Sequence, residues 1–478
     1  MMAASDTIVA VATPPGRGGV GVVRVSGPDA KALGERLFAS SKSGFTGLRP
    51  YRLHHGALLD ARGRPVDDGL VAFMPGPNSY TGEDVVELNC HGSPAVLRAL
   101  VRAALELGAR PASPGEFTKR AFLAGRMDLS EASAVAELVA ADTLTGAGLA
   151  LAKLTGALAR RVGALRETLV ALRAALCLAV DFPEDEVECL DIPGFLRQTR
   201  ALLENLDELT AASERARPFR EAQSVALAGL VNAGKSSLLN ALIGRERAIV
   251  CEVPGTTRDF LEEQLDLEGL PVLLVDTAGL RDTADRVERE GLVRGLARME
   301  ESKLTLLVVD GSERFDPAEF TAQLCRAASG LVGADGRPAS LTNFDPARVL
   351  AVVNKSDLPP AAPDPGGILA QAGFEVVRVS AKDGRGLSDL CGRIRARLLY
   401  SAPDASESMP APNDRELALI ARAREELAGL AQDLQAGVPP DLVSARLDMA
   451  CSCLDSITGA IAPDEVLNAI FDKFCIGK

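Results

Sequence analysis

Over roughly its first hundred residues the chain alternates apolar and polar positions with a period of two, the signature of half-buried strands. TIVAVAT, GVGVVRVSG, GLVAFMPG and EDVVELNCHG are short β-prone runs separated by Gly, Pro and Asn, and they predict an α+β domain. The apolar residues of 95–107 have helical spacing, and Pro111 and Pro114 mark the connection that follows. From about Phe117 the texture changes to Ala, Leu, Glu and Arg. Leu154, Leu158, Val162, Leu165, Leu169, Leu172 and Leu176 step by three or four residues, which predicts one face of a long helix. Helical sequence runs on beyond Asp181-Phe182-Pro183 to about Ala216. It returns after SAPDASESMPAP, where Leu417, Ile420, Leu427, Leu430 and Leu434 make a second apolar face.

Between these two helical stretches, residues 224–399 alternate apolar strands with helical segments. The strands are SVALAGL, VLLVDTAG, LTLLVVDG, VLAVVNKSD and EVVRVSA, the pattern of a mostly parallel sheet covered on both faces. The segment 331–348 reads as a surface loop. One helical domain is therefore split by an inserted domain of about 180 residues. The expected boundaries are 1–117 for the α+β domain, 118–217 and 401–478 for the two parts of the helical domain, and 218–400 for the α/β insert.

Length agrees, since 478 residues at roughly 150 per domain give about three domains. No apolar run reaches the ~18 residues of a membrane-spanning helix. The opening MMAASDTIVAVATPP lacks both a basic-then-apolar segment and an Arg-rich presequence, so a cytoplasmic location is expected. Nine cysteines, an odd number without Cys-x-x-Cys, predict reduced thiols, and with only His54, His55 and His91 no structural zinc site is expected. The net charge of -13 disfavours a general nucleic-acid coat, so any RNA binding must use a local patch.

The strand SVALAGL runs into Gly229-Leu-Val-Asn232-Ala233-Gly234-Lys235-Ser236, followed by the helical Ser237-Leu-Leu-Asn. This is G-x-x-x-x-G-K-[ST] in its strand–loop–helix setting, a loop whose backbone N–H groups converge on phosphate oxygens. Lys235 would meet the terminal phosphates and Ser236 would offer an oxygen to Mg2+. Asp276-Thr277-Ala278-Gly279 closes the strand VLLVDTAG, where a carboxylate can hold the Mg2+ shell and a glycine N–H can approach the terminal phosphate. Asn354-Lys355-Ser356-Asp357 and Ser380-Ala381-Lys382 close two more strands. A carboxylate at Asp357 accepts from the N–H and NH2 edge of guanine, and Ala381 N–H can meet the guanine oxygen; adenine would leave the carboxylate unpaired. The four elements predict a guanine-nucleotide site and resemble those of the P-loop GTPases.

Leu280 stands where many small GTPases place the Gln that orients water, so another device is needed. One candidate is a monovalent cation held by Asn232 and by the loop Pro254-Gly255-Thr256-Thr257-Arg258-Asp259, which otherwise reads as a plain switch loop. The other is Glu288 in DTAGLRDTADRVEREG, which by spacing alone is equally a solvated helix carboxylate.

Taken together, DTIVAVATPPGRGGVGVVRVSG, NSYTGEDVVELNCHG, PGEFTKRAFLAGRMDLSEA, DFPEDE, NAGKSSLLN, GTTRD, DTAGLR and the closing Phe474-Cys475-Ile476-Gly477-Lys478 resemble the MnmE (TrmE) tRNA modification GTPases. The resemblance covers essentially the whole chain. It implies a multidomain protein: an α+β N-terminal domain that binds 5-formyl-tetrahydrofolate or a related one-carbon folate and makes a homodimer, a discontinuous helical domain, and an inserted P-loop GTPase domain.

It also implies a potassium-dependent GTP hydrolase working with the flavoprotein MnmG (GidA) to add an aminomethyl-type group to carbon 5 of a wobble uridine in certain tRNAs. Carried over by residue, Asn232, Thr256 and the backbone of Cys251 and Val253 would hold potassium. Ser236 and Thr257 would hold Mg2+, Glu288 would orient water, and Glu252 would lie along the nucleotide loop with its neighbours. Arg24, Glu87, Arg126 and Lys478 would contact the folate. Without the resemblance, Arg24 reads as a surface cation, Glu87 as a polar strand position and Lys478 as a frayed end. Cys475 is either a thiol near the modification chemistry or a small apolar residue in a tail buried through Phe474 and Ile476. Lys119, Arg120, Arg126, Arg160, Arg161 and Arg166 either contact tRNA or form a solvated helix face. The competing functions are a ribosome-assembly or RNA-chaperone GTPase and a folate-dependent aminomethyltransferase with a regulatory insert.

Overall fold

The computed structural model describes residues 6–181, 191–230, 232–245, 262–276, 302–317, 345–399, 411–461 and 463–477. The backbone packs into two units, one comprising Met1–Val139, Leu151–Glu208 and Pro412–Lys478, the other Ala140–Ala150 and Leu209–Ala411.

In the first unit the alternating runs become a seven-stranded sheet. Its strands are β1 (Ile8–Val11), β2 (Gly18–Ser26), β3 (Phe38–Ser40), β4 (Leu53–Leu59), β5 (Pro65–Met74), β6 (Val85–Gly92) and β7 (Arg110–Pro111), in the order β3-β4-β5-β6-β2-β1-β7. All pairs are antiparallel except β1 with β7. Val23, Val25, Val71, Val86 and Leu88 bury one face beneath Leu33 of the helix Ala30–Arg36 and Leu97 and Leu100 of the helix Pro94–Glu106. The other face takes the alternate, polar set, which includes Arg24 and Glu87. These two are direct cross-strand partners of β2 and β6.

The helical residues of this unit follow the predicted stripe with one difference. Leu158, Val162, Leu165, Leu169, Leu172 and Leu176 are all buried on the helix Ala157–Asp181. Leu154 instead ends the preceding helix, Leu144–Leu154, because Gly156 turns the chain at φ +80°. The helix Asp414–Gln435 opens with a capping box between Asn413 and Glu416 and buries Ile420, Leu427, Leu430 and Leu434. It packs on the helix Pro440–Thr458, which in turn packs on Ala157–Asp181.

The second unit holds a six-stranded sheet of β8 (Gln223–Ala228), β9 (Glu262–Leu267), β10 (Leu270–Asp276), β11 (Leu304–Asp310), β12 (Val349–Asn354) and β13 (Glu375–Arg378), in the order β13-β12-β11-β8-β10-β9. Only the edge pair β9–β10 is antiparallel. Every residue of β11 and of β12 is buried, as expected for central parallel strands covered on both faces. β8 lies between β10 and β11, so the chain leaves its carboxyl end at the point where successive strands are laid down on opposite sides. That crevice is where open α/β sheets bind ligands. The helix Lys235–Arg245 follows directly. Of the 331–348 segment, 331–344 lie outside the described residues.

Candidate functional site

The phosphate loop is shaped by one close approach. Gly229 has φ +152°, and a Cβ there would stand 2.2 Å from the carbonyl oxygen of Val308 on β11. Only glycine allows the loop to leave β8 so near its neighbour. Asn232 follows at φ +64°, a left-handed conformation Asn tolerates better than most residues, and Gly234 at φ +89°. Lys235 is buried, and its Nζ donates to the carbonyls of Gly229 and Leu230, both at 2.8 Å. The ammonium is thus held over the loop. Ser236 and Ser237 stand exposed in the first turn of the helix, where backbone N–H groups point outward and favour an anion.

Two further loops meet this one. Asn354, which closes β12, is almost wholly buried. Its Nδ2 donates to Ala233 O at 3.0 Å and its Oδ1 accepts from Ala381 N at 3.1 Å, so a single side chain joins the phosphate loop to the 380–382 loop. Ser380 is buried and donates from Oγ to Asp357 Oδ1 at 2.8 Å, leaving Oδ2 for another donor. Ser356 N bonds to Val379 O at 3.0 Å, which fixes the spacing of the two loops. Lys355 adopts φ +62° and Lys382 is exposed.

The backbone of Asp276 ends β10 opposite Leu227 of β8, at the same carboxyl edge. The Asp276 side chain lies outside the described residues, as do Cys251, Glu252, Val253, Pro254, Gly255, Thr256, Thr257, Thr277, Ala278, Gly279, Glu288 and Lys478. Sequence reasoning passed over Asp310, although it closes LTLLVVDG just as Asp276 closes VLLVDTAG. It is buried and ion-paired to Lys355. Burial pushes its carboxyl up, but the adjoining Lys355 ammonium and hydrogen bonds from Ser312 outweigh that and hold it below the ordinary value.

A second constellation lies in the first unit. Arg24 Nε donates to Glu87 Oε1 at 2.9 Å, and its NH1 donates to the carbonyl of Gly477 at 3.3 Å. The guanidinium carbon sits 5.5 Å from the Tyr80 ring centre and 5.7 Å from that of Phe117. Tyr80 and Phe117 were not foreseen: no spacing marks them. Gly477, at φ +99°, packs so tightly that a Cβ would meet Val11 O at 2.1 Å. Gly477 is thereby pinned against β1 and brought to Arg24. Arg126 is exposed, with its Cγ beside Gly82. Phe474 is buried as expected, but Ile476 is 61% exposed and Cys475 is exposed, so apolar packing of the tail stops at Phe474.

Arg120 departs from the solvated-face or tRNA-contact expectation. It is buried, bonding Glu83, Glu116, Asp6 and the Asp6 carbonyl. Among its neighbours in that set, Lys119 donates to Asn468 at 2.7 Å, Arg161 pairs with Glu208 and Arg166 with Asp455, while Arg126 and Arg160 are exposed. Among the described residues no cluster of His, Cys, Asp and Glu has metal-holding geometry, and no helix is long and apolar enough to cross a membrane.

The sheet order, the phosphate loop at its switch point and the two loops gathered by Asn354 define an α/β P-loop GTPase domain carried within a larger α+β and helical chain. Residues 7–126 match the model of the GTP-binding protein TrmE N-terminus, and residues 129–475 match that of the MnmE helical domain. The chain is 47% identical over 482 residues to a tRNA modification GTPase MnmE of Nitratidesulfovibrio vulgaris (strain DP4), covering 99% of each chain. It is 40% identical to proteins of the same description from Lawsonia intracellularis (strain PHE/MN1-00) and Chloroflexus aurantiacus (strain ATCC 29366 / DSM 635 / J-10-fl), covering 99% of this chain and 100% of each of those. The chain belongs to the MnmE family of tRNA modification GTPases.

Proposed function

We propose that the chain is a potassium-dependent GTP hydrolase that modifies carbon 5 of the wobble uridine of certain tRNAs. In this reading it acts as a homodimer with a flavoprotein partner of the MnmG (GidA) kind and takes a one-carbon unit from a folate. The observation that carries the nucleotide half of this reading is the pair of hydrogen bonds by which Asn354 donates to Ala233 O and accepts from Ala381 N, joining the phosphate loop to the 380–382 loop at one sheet edge.

The donor chemistry suits the groups the reading requires. Asn232 offers an exposed amide oxygen on the phosphate loop, a hard neutral ligand fitted to potassium, to be joined by Thr256 and the backbone of Cys251 and Val253. Ser236 and Thr257 would hold Mg2+ by their hydroxyls, and Glu288 would orient the attacking water. Bound, the two cations supply positive charge beside the phosphates, the part an arginine finger plays elsewhere. Lys235 neutralises phosphate oxygens, and Asp357 reads the guanine edge; the Ala381 N–H, which donates to Asn354 Oδ1 in this structure, must share or release that bond to meet the guanine oxygen. In the first unit, the acidic Glu87, held in place by Arg24, suits the donor edge of a pterin, and Arg126 with Lys478 suits the carboxylates of a folate tail. The rings of Tyr80 and Phe117 flank Arg24.

Two measurements test this. GTP hydrolysis in potassium, compared with sodium at equal ionic strength, is expected to be many-fold faster; equal rates overturn the cation mechanism. Mass spectrometry of wobble uridines in tRNA from cells lacking the chain is expected to show loss of the modification. A profile matching the parent overturns the tRNA reading and favours a ribosome-assembly role.

A further inference from the structure

We propose that Asp310 is a positioning residue for guanine-nucleotide binding: it anchors the Lys355 ammonium so that the lysine's methylene stem forms a fixed apolar rail for one face of the base. The inference rests on the guanine-nucleotide reading above and adds a residue and a role to it.

Asp310 is the last residue of β11 and lies directly opposite Asn354 in the parallel register with β12. Its Oδ2 is 2.5 Å from Lys355 Nζ, while Oδ1 accepts from Ser312 N at 2.8 Å and Ser312 Oγ at 2.6 Å. The backbone reinforces the side chain: Gly311 N donates to Asn354 O at 2.8 Å, and a Cβ at Gly311 would stand 2.9 Å from that oxygen. Residues 310–312 therefore clamp both the main chain and the side chain of the 354–355 step.

Lys355 itself is in the left-handed region, φ +62°, which a lysine adopts only where its surroundings impose it. Its side chain is two-thirds covered although its charge is strong and its stem flexible. A free lysine would lose rotamer freedom when a base covered its stem; one already tied to Asp310 has lost it before the nucleotide arrives. The ion pair also keeps the ammonium satisfied beneath a ring that offers it no acceptor. Asp357, two residues on, reads the edge of the base, and Asn354 holds the loops together. Asp310 governs the remaining direction, the face.

The test uses the full chain and stopped-flow release of N-methylanthraniloyl-GDP. Asp310→Asn is expected to speed release about tenfold and to raise KM for GTP far more than it lowers kcat, as loss of preorganisation predicts. Asp310→Asn combined with Lys355→Met is expected to release no faster than Lys355→Met alone. Inosine diphosphate, which lacks the edge amine, is expected to show the same fold-change as GDP. Unchanged release in Asp310→Asn, or additive effects in the double variant, overturns the proposal. Should Asp310→Asn fail to fold by thermal melting, Ser312→Ala takes its place, with faster release expected and unchanged release contradictory. Absence of GDP binding by the parent chain would instead overturn the nucleotide reading itself.

Discussion

Asn354 donates from Nδ2 to the carbonyl of Ala233 at 3.0 Å, joining two loops that lie 121 residues apart in the chain. Because Asn354 is buried and also accepts from Ala381 N, its truncation leaves two backbone groups without a partner. Asn354→Ala is expected to lower stability by about 2–4 kcal/mol, the cost of two orphaned groups, and to weaken GDP binding by at least about tenfold. Thermal unfolding with and without GDP, and a GDP titration, check both. Parent-like affinity would mean that the loops hold their places without this bridge.

The phosphate loop depends on the closeness of Gly229 to β11. Gly229→Ala introduces a Cβ about 2.2 Å from Val308 O, a distance no real contact shows, so the loop must move. Nucleotide affinity is expected to fall about tenfold or more while the sheet remains, since the misplacement falls on the phosphate-binding amides. Calorimetric GDP titration together with a circular dichroism spectrum reads the two separately.

Arg24→Met should weaken folate binding, because it removes the guanidinium that pairs with Glu87 and lies over the rings of Tyr80 and Phe117. The pair with Glu87 is about three-quarters buried on each side and truncation also removes the bond to Gly477 O, so the stability cost is expected to be about 1–3 kcal/mol. Titration with 5-formyl-tetrahydrofolate is expected to show at least about tenfold weaker binding. Unchanged binding would remove Arg24 from the folate site.

Acid should loosen the N-terminal unit through Glu116. Burial pushes this carboxyl up, but hydrogen bonds from Arg110, the Ser113 N–H and Arg120 prevail and hold it at about 2. A carboxyl depressed in the folded state contributes stability that is full above its ordinary value of 4.5 and is lost as pH falls towards about 2. Urea midpoints measured from pH 5 to pH 2.5 are expected to fall in the parent, with on the order of 2 kcal/mol of the loss absent from Glu116→Gln. Parallel pH curves for the two proteins would exclude the role.

What could be seen beforehand followed from local period and local chemistry. The phosphate loop announced itself because strand, glycines, Lys235 and helix are contiguous, and the central strands β11 and β12 because full burial makes them apolar throughout. The strands β3 and β4 were missed. LHHGALL buries only Gly56 and Leu58, so two histidines and a glycine hide its alternation. The break at Gly156 was missed because an apolar stripe runs through it unchanged. Contacts across long sequence separations left no trace at all: Arg24 reaches Gly477 across 453 residues, and Tyr80 and Phe117 flank it without a motif. Arg120 resembles its neighbours in sequence because two of its carboxylate partners, Glu83 and Asp6, come from loops 37 and 114 residues away.

The most direct test of the account is the base preference of Asp357→Asn. In the parent, Ser380 Oγ orients this carboxylate by a 2.8 Å hydrogen bond to Oδ1, leaving the other oxygen to accept from guanine. An amide reverses one acceptor into a donor and matches the carbonyl that xanthine carries in place of the guanine amine. Hydrolysis of GTP and xanthosine triphosphate by parent and variant should therefore cross over, the variant losing about a hundredfold in kcat/KM on GTP and gaining on xanthosine triphosphate. A variant that still prefers GTP as strongly as the parent would show that these loops do not form the guanine site.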